Sequence, residues 1–288
     1  MDAYLEIVER ILQKGVSKEN RTGITTLTIF GEKFEHDMTN GFPLQTTKKM
    51  RHEGVFSELE FFIKGLTDKR WLQERKNHIW DDWCNPEKVP YGHDEETKRR
   101  MREEPDLGPI YGFQWRHFGA EYRGPDIDYT GQGFDQLSQL VSMIKKDPTD
   151  RRMIVNSWNP TQLYQMGLPP CHYSFQVDIL DNKLHLSWNQ RSVDVMLGLP
   201  YNIASYAALL HLLAKETGYQ EGKLIGNLGD TQIYSNHVDK AKEQLTRKPF
   251  PLPSIETENF KSIFDWKYTD TKILNYQHHP FIKFDIAV

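Results

Sequence analysis

The sequence predicts a single α+β domain. Three observations carry that prediction: amphipathic helical stripes recur along the chain, alternating apolar runs of β type dominate after residue 151, and no linker, repeat or low-complexity tract separates them. A chain of 288 residues can bury a substantial core. Its 26% charged, 38% hydrophobic and 12% aromatic content fits a folded protein rather than an extended disordered one. The 36 Lys and Arg residues against 40 Asp and Glu leave a net charge of −4, too even for a wholesale nucleic-acid or membrane-surface binder. Any anion site is therefore local.

Taken in order, Tyr4, Leu5, Val8, Ile11 and Leu12 follow a helical stripe over 2–14, with Gly15 expected as a left-handed C-terminal cap. The Arg21-Thr22-Gly23 turn leads into an alternating, β-branched strand over 24–30, which leaves Arg21 on a loop. Val55, Phe56, Leu59, Phe62 and Ile63 predict a helix with Glu58 at the border of its buried face. The stretch 85–109 is rich in charge and poor in apolar residues, and reads as a solvated, chemically silent insertion. Phe134, Leu137, Leu140, Val141 and Ile144 predict a helix ending near Lys145-Lys146. Short strands follow at 153–155 and 173–179, and Asp181-Asn182 supplies a hairpin turn into Leu184, Leu186 and Trp188. Residues 203–214 are apolar nearly all round, so that helix is expected to be central.

No run of ~18 apolar residues appears, and the first residues carry acids where a secretory signal carries bases, so the default expectation is a cytoplasmic protein. The two cysteines, Cys84 and Cys171, exclude a disulfide framework and a Cys-x-x-Cys zinc spacing. Phosphate-loop, Gly-x-Gly-x-x-Gly and His-Glu-x-x-His motifs are absent, and no metal is expected.

Cys171 follows Pro169-Pro170 at the mouth of a strand, a rigid presentation that suits a nucleophile as well as a buried structural thiol. His172, next along the strand, points to the opposite face and is a poor partner for it. Arg21, Arg151, Arg152 and Arg191 fall on loops or strand ends, where a guanidinium can pair with a phosphate or merely face solvent. Asn202 precedes the central helix as either an N-cap or a reader of a base edge.

Together these pieces resemble the thymidylate synthase family from Tyr4 to Val288. The matching segments are Arg21-Thr22-Gly23, the run Gly41 to Lys49, Ile79-Trp80-Asp81-Asp82-Trp83, Gly108 to Gly112, Arg151-Arg152, Leu168 to His172, Arg191 to Asp194, and Asn202 to Tyr206. The resemblance implies a mixed β-sheet packed by helices, with a sheet face as the homodimer interface. It also implies conversion of dUMP to dTMP with 5,10-methylenetetrahydrofolate as one-carbon donor and reductant. Cys171 would attack C6 of the uracil, Glu58 and Tyr111 would organise proton transfer through water, and Arg191 and Asn202 would complete the catalytic set. Arg21, Arg191 and Ser192 would hold the phosphate, with Arg151 and Arg152 supplied by the other subunit. His172, Gln190, Asp194, Asn202, Gln232 and Tyr234 would complete the substrate site. Arg51, Ile79, Trp80, Trp83, Asp194, Leu197, Gly198, Tyr201, Ala287 and Val288 would hold the folate, the last two by closing over the ligands.

Several positions depart from the commonest family pattern. Gln232 replaces a His, Tyr201 a Phe, and Arg51 a His. Glu60 and Asn189 resemble instead the sister nucleotide hydroxymethylases, and with Tyr201 are expected to form a polar cluster near the exocyclic carbon. The expected product is dTMP, with 5-hydroxymethyl-dUMP as the alternative and a non-catalytic nucleotide- or RNA-binding homologue as the reading from another class. Intact Glu58, Tyr111, Cys171 and Asn202 weigh against that last reading. No membrane and no obligatory nucleic-acid partner are expected.

Overall fold

A computed structural model describes residues 1–92 and 94–286. Helix α1 (Asp2–Lys14) buries Tyr4, Ile7, Val8 and Ile11 on one stripe. Gly15 ends it in an extended conformation, φ −63°, not in the expected left-handed one. What requires glycine there is proximity, since a Cβ would lie 2.5 Å from the Ile11 carbonyl oxygen. After the short β1 (Val16–Lys18), β2 (Thr26–Asp37) runs well past the predicted end at residue 30. Its second half carries Lys33, Glu35 and Asp37 on one face, while Phe34 on the other joins the core, and one apolar residue among charged and polar ones leaves no alternation to read.

Helices α2 (His52–Ile63), α3 (Arg70–Gln73), α4 (Glu95–Glu103), α5 (Tyr111–His117) and α6 (Gln136–Lys146) follow, then β3 (Ile154–Asn156). Phe134 does not belong to α6. Asp135 caps that helix by accepting the Ser138 amide, and Phe134 lies outside it, exposed and bridged to Phe118. The charged insertion is also not wholly solvated. It contains α4, whose Met101 packs with Cys84 and Val89 in a small core of its own.

Strands β4 (His172–Leu180) and β5 (Lys183–Asp194) form the predicted hairpin, and Asp181 and Asn182 both have positive φ, 51° and 59°. A bulge between His172 and Ser174 shifts the pleat, so His172 and Phe175 are both buried. Helix α7 (Gly198–Thr217) then crosses to β6 (Gln220–Tyr234), which pairs parallel to β5. The six-stranded sheet has the order β1-β2-β6-β5-β4-β3, antiparallel except at β5/β6. The chain continues through α8 (Val238–Leu245) to a separate ribbon of β7 (Ser254–Thr257) and β8 (Thr271–Leu274).

The inner face of the sheet buries Phe175, Leu186, Trp188 and Leu224 against α7, with Trp188 stacked on Tyr206 at 5.2 Å. The opposite face carries Ser174, Ser187, Asn189 and Asn227, linked by side-chain hydrogen bonds, and leaves Phe30 83% exposed. The fold is thus a mixed sheet with helices on one side, as an α+β reading requires. Among the described residues no helix is long and apolar enough to cross a membrane.

Candidate active site

Pro169 and Pro170 deliver Cys171 to the start of β4, and the surrounding backbone is fixed from two directions. The Cys171 amide donates to Tyr111 Oη at 2.8 Å, and the Arg191 amide donates to the Cys171 carbonyl at 2.8 Å. The Arg191 guanidinium in turn donates to the carbonyls of Pro170 and Pro169, both at 2.9 Å. A cation is therefore anchored to the very loop that carries the thiol. Burial pushes the Cys171 thiol above its ordinary range, and Arg191 and Arg21 pull it back toward the thiolate.

Arg21, Cys171, Arg191, Ser192, Gln232 and Tyr234 line one cavity of about 520 Å³. They reach it from the turn before β2, the loop before β4 and the ends of β5 and β6. Lys18, Asn20, Thr22, Leu168, Pro169, Tyr91 and Asp230 line it as well, and none of them is among the site residues the sequence predicts. Lys18 and Asp230 are ion-paired there. A basic residue three positions before Arg21 was the available signal for Lys18, whereas nothing local marked Tyr91 or Asp230. A larger groove, about 940 Å³, lies between the C-terminal end of α7 and β7 and contains neither cysteine.

Beside the thiol, Tyr111 opens α5, which packs closely on α2 because Gly112 meets the Phe62 backbone: a Cβ there would lie 2.4 Å from the Phe62 oxygen. Tyr111 is stacked between Phe62 at 4.9 Å and His172 at 4.4 Å. His172 is thus buried behind Tyr111 and bonded to the Tyr206 hydroxyl at 3.0 Å, away from the cavity lining. Burial drives its imidazole down to about 3, so it stays neutral. On α2, Glu58 Oε1 accepts the Trp80 indole N–H at 2.7 Å. Desolvation raises the Glu58 carboxyl to about 7 against the opposing indole bond. A carboxyl poised near neutrality, with Trp80 6.0 Å from Tyr111, is suited to passing protons in both directions.

Asp194 accepts the amides of Met196 at 3.1 Å and Leu197 at 3.0 Å, so it organises the turn into α7. Burial raises its carboxyl despite those donors. Asn202 is not an N-cap, because α7 already begins at Gly198 and Asn202 lies inside its first turns. Its Oδ1 accepts from Gln190 Nε2 at 3.0 Å, and Gln190 Oε1 accepts the Trp188 indole N–H at 3.1 Å. The Asn202 amide N–H groups remain directed by this relay.

Of the other expected ligand contacts, Ile79 is exposed, Trp83, Leu197, Gly198 and Tyr201 are partly exposed, and Arg51 is exposed at the start of α2. Lys48 was missed. It is buried, donates to the Met196 carbonyl, lies 4.6 Å from the Phe284 ring, and burial lowers it to about 8. Ala287 and Val288 lie outside the described residues. Arg151 and Arg152 are exposed before the edge strand β3, Arg152 paired with Asp150 at 2.8 Å, and neither lines this chain's cavity. The expected polar cluster does not form. Glu60 is buried and accepts the Tyr268 amide at 2.8 Å, with Lys64 at 3.4 Å, while Asn189 bonds Ser174 and Asn227 on the outer sheet face. Among the described residues no group of three or more His, Cys, Asp or Glu could hold a metal.

A family model described as thymidylate synthase matches residues 2–288. A bifunctional dihydrofolate reductase-thymidylate synthase of Paramecium tetraurelia is 42% identical over 285 residues, which cover 99% of this chain and 61% of that protein. One of Leishmania major is 43% identical over 289 residues, covering 99% of this chain and 55% of the relative. The chain therefore spans 61% and 55% of the lengths of these relatives. A match from one end of the chain to the other, over the segments that build the Cys171 cavity, means that the chain belongs to the thymidylate synthase family.

Proposed function

We propose that residues 1–288 act as a thymidylate synthase-like catalytic unit that methylates dUMP reductively to dTMP, leaving dihydrofolate. The observation that carries this is a thiol lining a cavity beside two arginines, its amide bonded to Tyr111, and behind Tyr111 the Trp80 ring that donates to a carboxyl raised to about 7. Arg21, Arg191 and Ser192 would take the phosphate through charge-assisted donors. A dianionic ligand would leave the arginines' fields shared between phosphate and sulfur, and Arg191, tied to the Cys171 loop, would orient both. Cys171 Sγ would bond to C6 of the ring and place the electron pair on the C5–C4–O4 side, where Asn202, held by Gln190, would present amide N–H to O4. Glu58, beside Trp80, would take and return protons through ordered water.

A folate would be held by residues outside the Cys171 cavity lining. Partly exposed Trp83 and Tyr201 offer flat aromatic surface, and exposed Arg51 offers a cation suited to a carboxylate. When bound, 5,10-methylenetetrahydrofolate supplies the one-carbon unit and the hydride. Asp194 would orient it from the turn it braces, and the aromatic residues would keep water from the exocyclic carbon. Commitment of Glu60 and Asn189 elsewhere supports the methyl product over the hydroxymethyl one. Mass spectrometry of the nucleotide formed from dUMP and the folate tests this: dTMP is expected, and a dominant product one oxygen heavier overturns it.

The proposal includes a homodimer in which Arg151 and Arg152 complete the partner's phosphate site. Their exposure at the sheet edge and the 83% exposed Phe30 on the outer face support it. Mixing inactive Arg152→Ala and inactive Cys171→Ala subunits should restore part of the activity, because one of the two sites in a mixed dimer then has every group.

A further inference from the structure

Near its start, the charged insertion contributes a residue to the Cys171 cavity. Val89 is buried with Cys84 and Met101, Pro90 fixes the next backbone step, and Tyr91 then lines the cavity with Cys171, Arg21 and Arg191. Tyr91 is 41% exposed and its ring lies 5.8 Å from Trp83. The support beneath it is rigid. Lys69 is 1% exposed, and its ammonium donates to the carbonyls of Asp81 at 3.0 Å, Trp83 at 2.7 Å and Met101. One buried cation thus ties the Trp80–Trp83 wall to α4. Lys88 adds an ion pair to buried Asp106 at 3.3 Å, and Arg102 one to Asp82 at 3.0 Å. An insertion with no role at the cavity needs no such bracing toward it.

We propose that the insertion is an accessory wall of the nucleotide site, with Tyr91 donating its hydroxyl to the phosphate beside Arg21 and Lys69 acting as the positioning residue that holds this wall. This rests on the nucleotide reading of the cavity given above. Burial keeps the phenol protonated, with Arg21 opposing, so it is a donor and not a competing anion. Tyr91 also has a ring face that a nucleotide would cover, which adds apolar burial to the hydrogen bond.

Steady-state kinetics on the full chain test it. Tyr91→Phe should raise KM for dUMP about fivefold with kcat within twofold, and should weaken competitive inhibition by inorganic phosphate by a similar factor. Tyr91→Ala should raise KM further, leaving KM for the folate within twofold. Lys69→Met should reproduce part of the dUMP effect although it is remote from the cavity. Unchanged KM for dUMP and unchanged phosphate inhibition in both Tyr91 variants overturn the proposal. A KM increase without weaker phosphate inhibition overturns the phosphate assignment. Wild-type protein that fails to bind dUMP in calorimetry fails the underlying reading instead, and the two outcomes are distinct.

Discussion

Cys84 and Cys171 place the same side chain in two settings. Cys84 is fully buried between Val89 and Met101, its thiol 3.6 Å from the Val89 carbonyl, and lines neither cavity. Burial pushes it up to about 11, although Lys69 is near and opposes the shift. That ammonium is already committed to three carbonyls. Cys171 is also raised by burial, but its opposing cations flank a cavity a reactant can enter. Desolvation alone therefore makes a thiol inert. What separates the nucleophile from the packing residue is a cavity on one side and two cations that face it.

Changes at the two sites should diverge accordingly, and the largest divergence is expected in turnover. Cys171→Ala should lower kcat by at least about a thousandfold while dUMP still binds, because the thiol does not hold the phosphate. Iodoacetamide should label Cys171, with dUMP protecting it, and should reach Cys84 only in denaturant. Equal labelling of both thiols in the native protein would mean that the two settings do not differ in reactivity.

Glu58→Gln should cost about a hundredfold or more in kcat and remove any inflection of the pH profile near 7. It should also stabilise the fold at high pH. The Glu58 carboxyl is raised in the folded state from 4.5 to about 7, so the folded chain binds the extra proton between those values and stability falls as pH rises through them. The total is up to about 3 kcal/mol, and urea unfolding of the two proteins at pH 5 and pH 8 measures how much of it Gln recovers.

Asn202→Asp should move the ratio of kcat/KM from dUMP toward dCMP by about tenfold, since a protonated carboxyl complements the 4-amino/N3 edge. If the ratio does not move, Asn202 serves only the hydrogen-bond chain with Gln190. The smallest kinetic effect belongs to Cys84→Ala, with kcat within twofold and stability lowered by about 1 kcal/mol for the lost sulfur. A large kinetic loss there would mean that the small core under the insertion governs chemistry as well as packing.

Much of this arrangement was legible where the signal is local. The Asp181-Asn182 turn, the stripe of α1 and the apolar run of α7 depend on residues close in sequence. The first turn of α7 was missed because Gly198, Pro200 and Asn202 read as loop residues, although proline fits an opening turn that asks no amide of it. The thiol, the glutamate and the arginines were visible as types, but composition and periodicity could not bring Arg21 to Cys171. Only the family resemblance grouped them. Lys69 and Tyr91 were invisible, because a lysine satisfied by carbonyls and a tyrosine placed by a small distant core leave no pattern in the chain.

The pairing of β2 with β6 has a consequence for how the protein is made. Thr26 meets Tyr234 and Asp37 meets Lys223, so β2 has to wait through roughly two hundred residues of synthesis before its inner neighbour exists. Arg21 and Tyr234 come to the same cavity only when that ladder closes. Until then β2 offers unpaired backbone on that edge, and the nascent chain carries both a strand open to wrong partners and no site to which a nucleotide could lend stability. Ligand added early in refolding should therefore leave the first steps unchanged and act only on the last, when the two distant ends of the polypeptide have met.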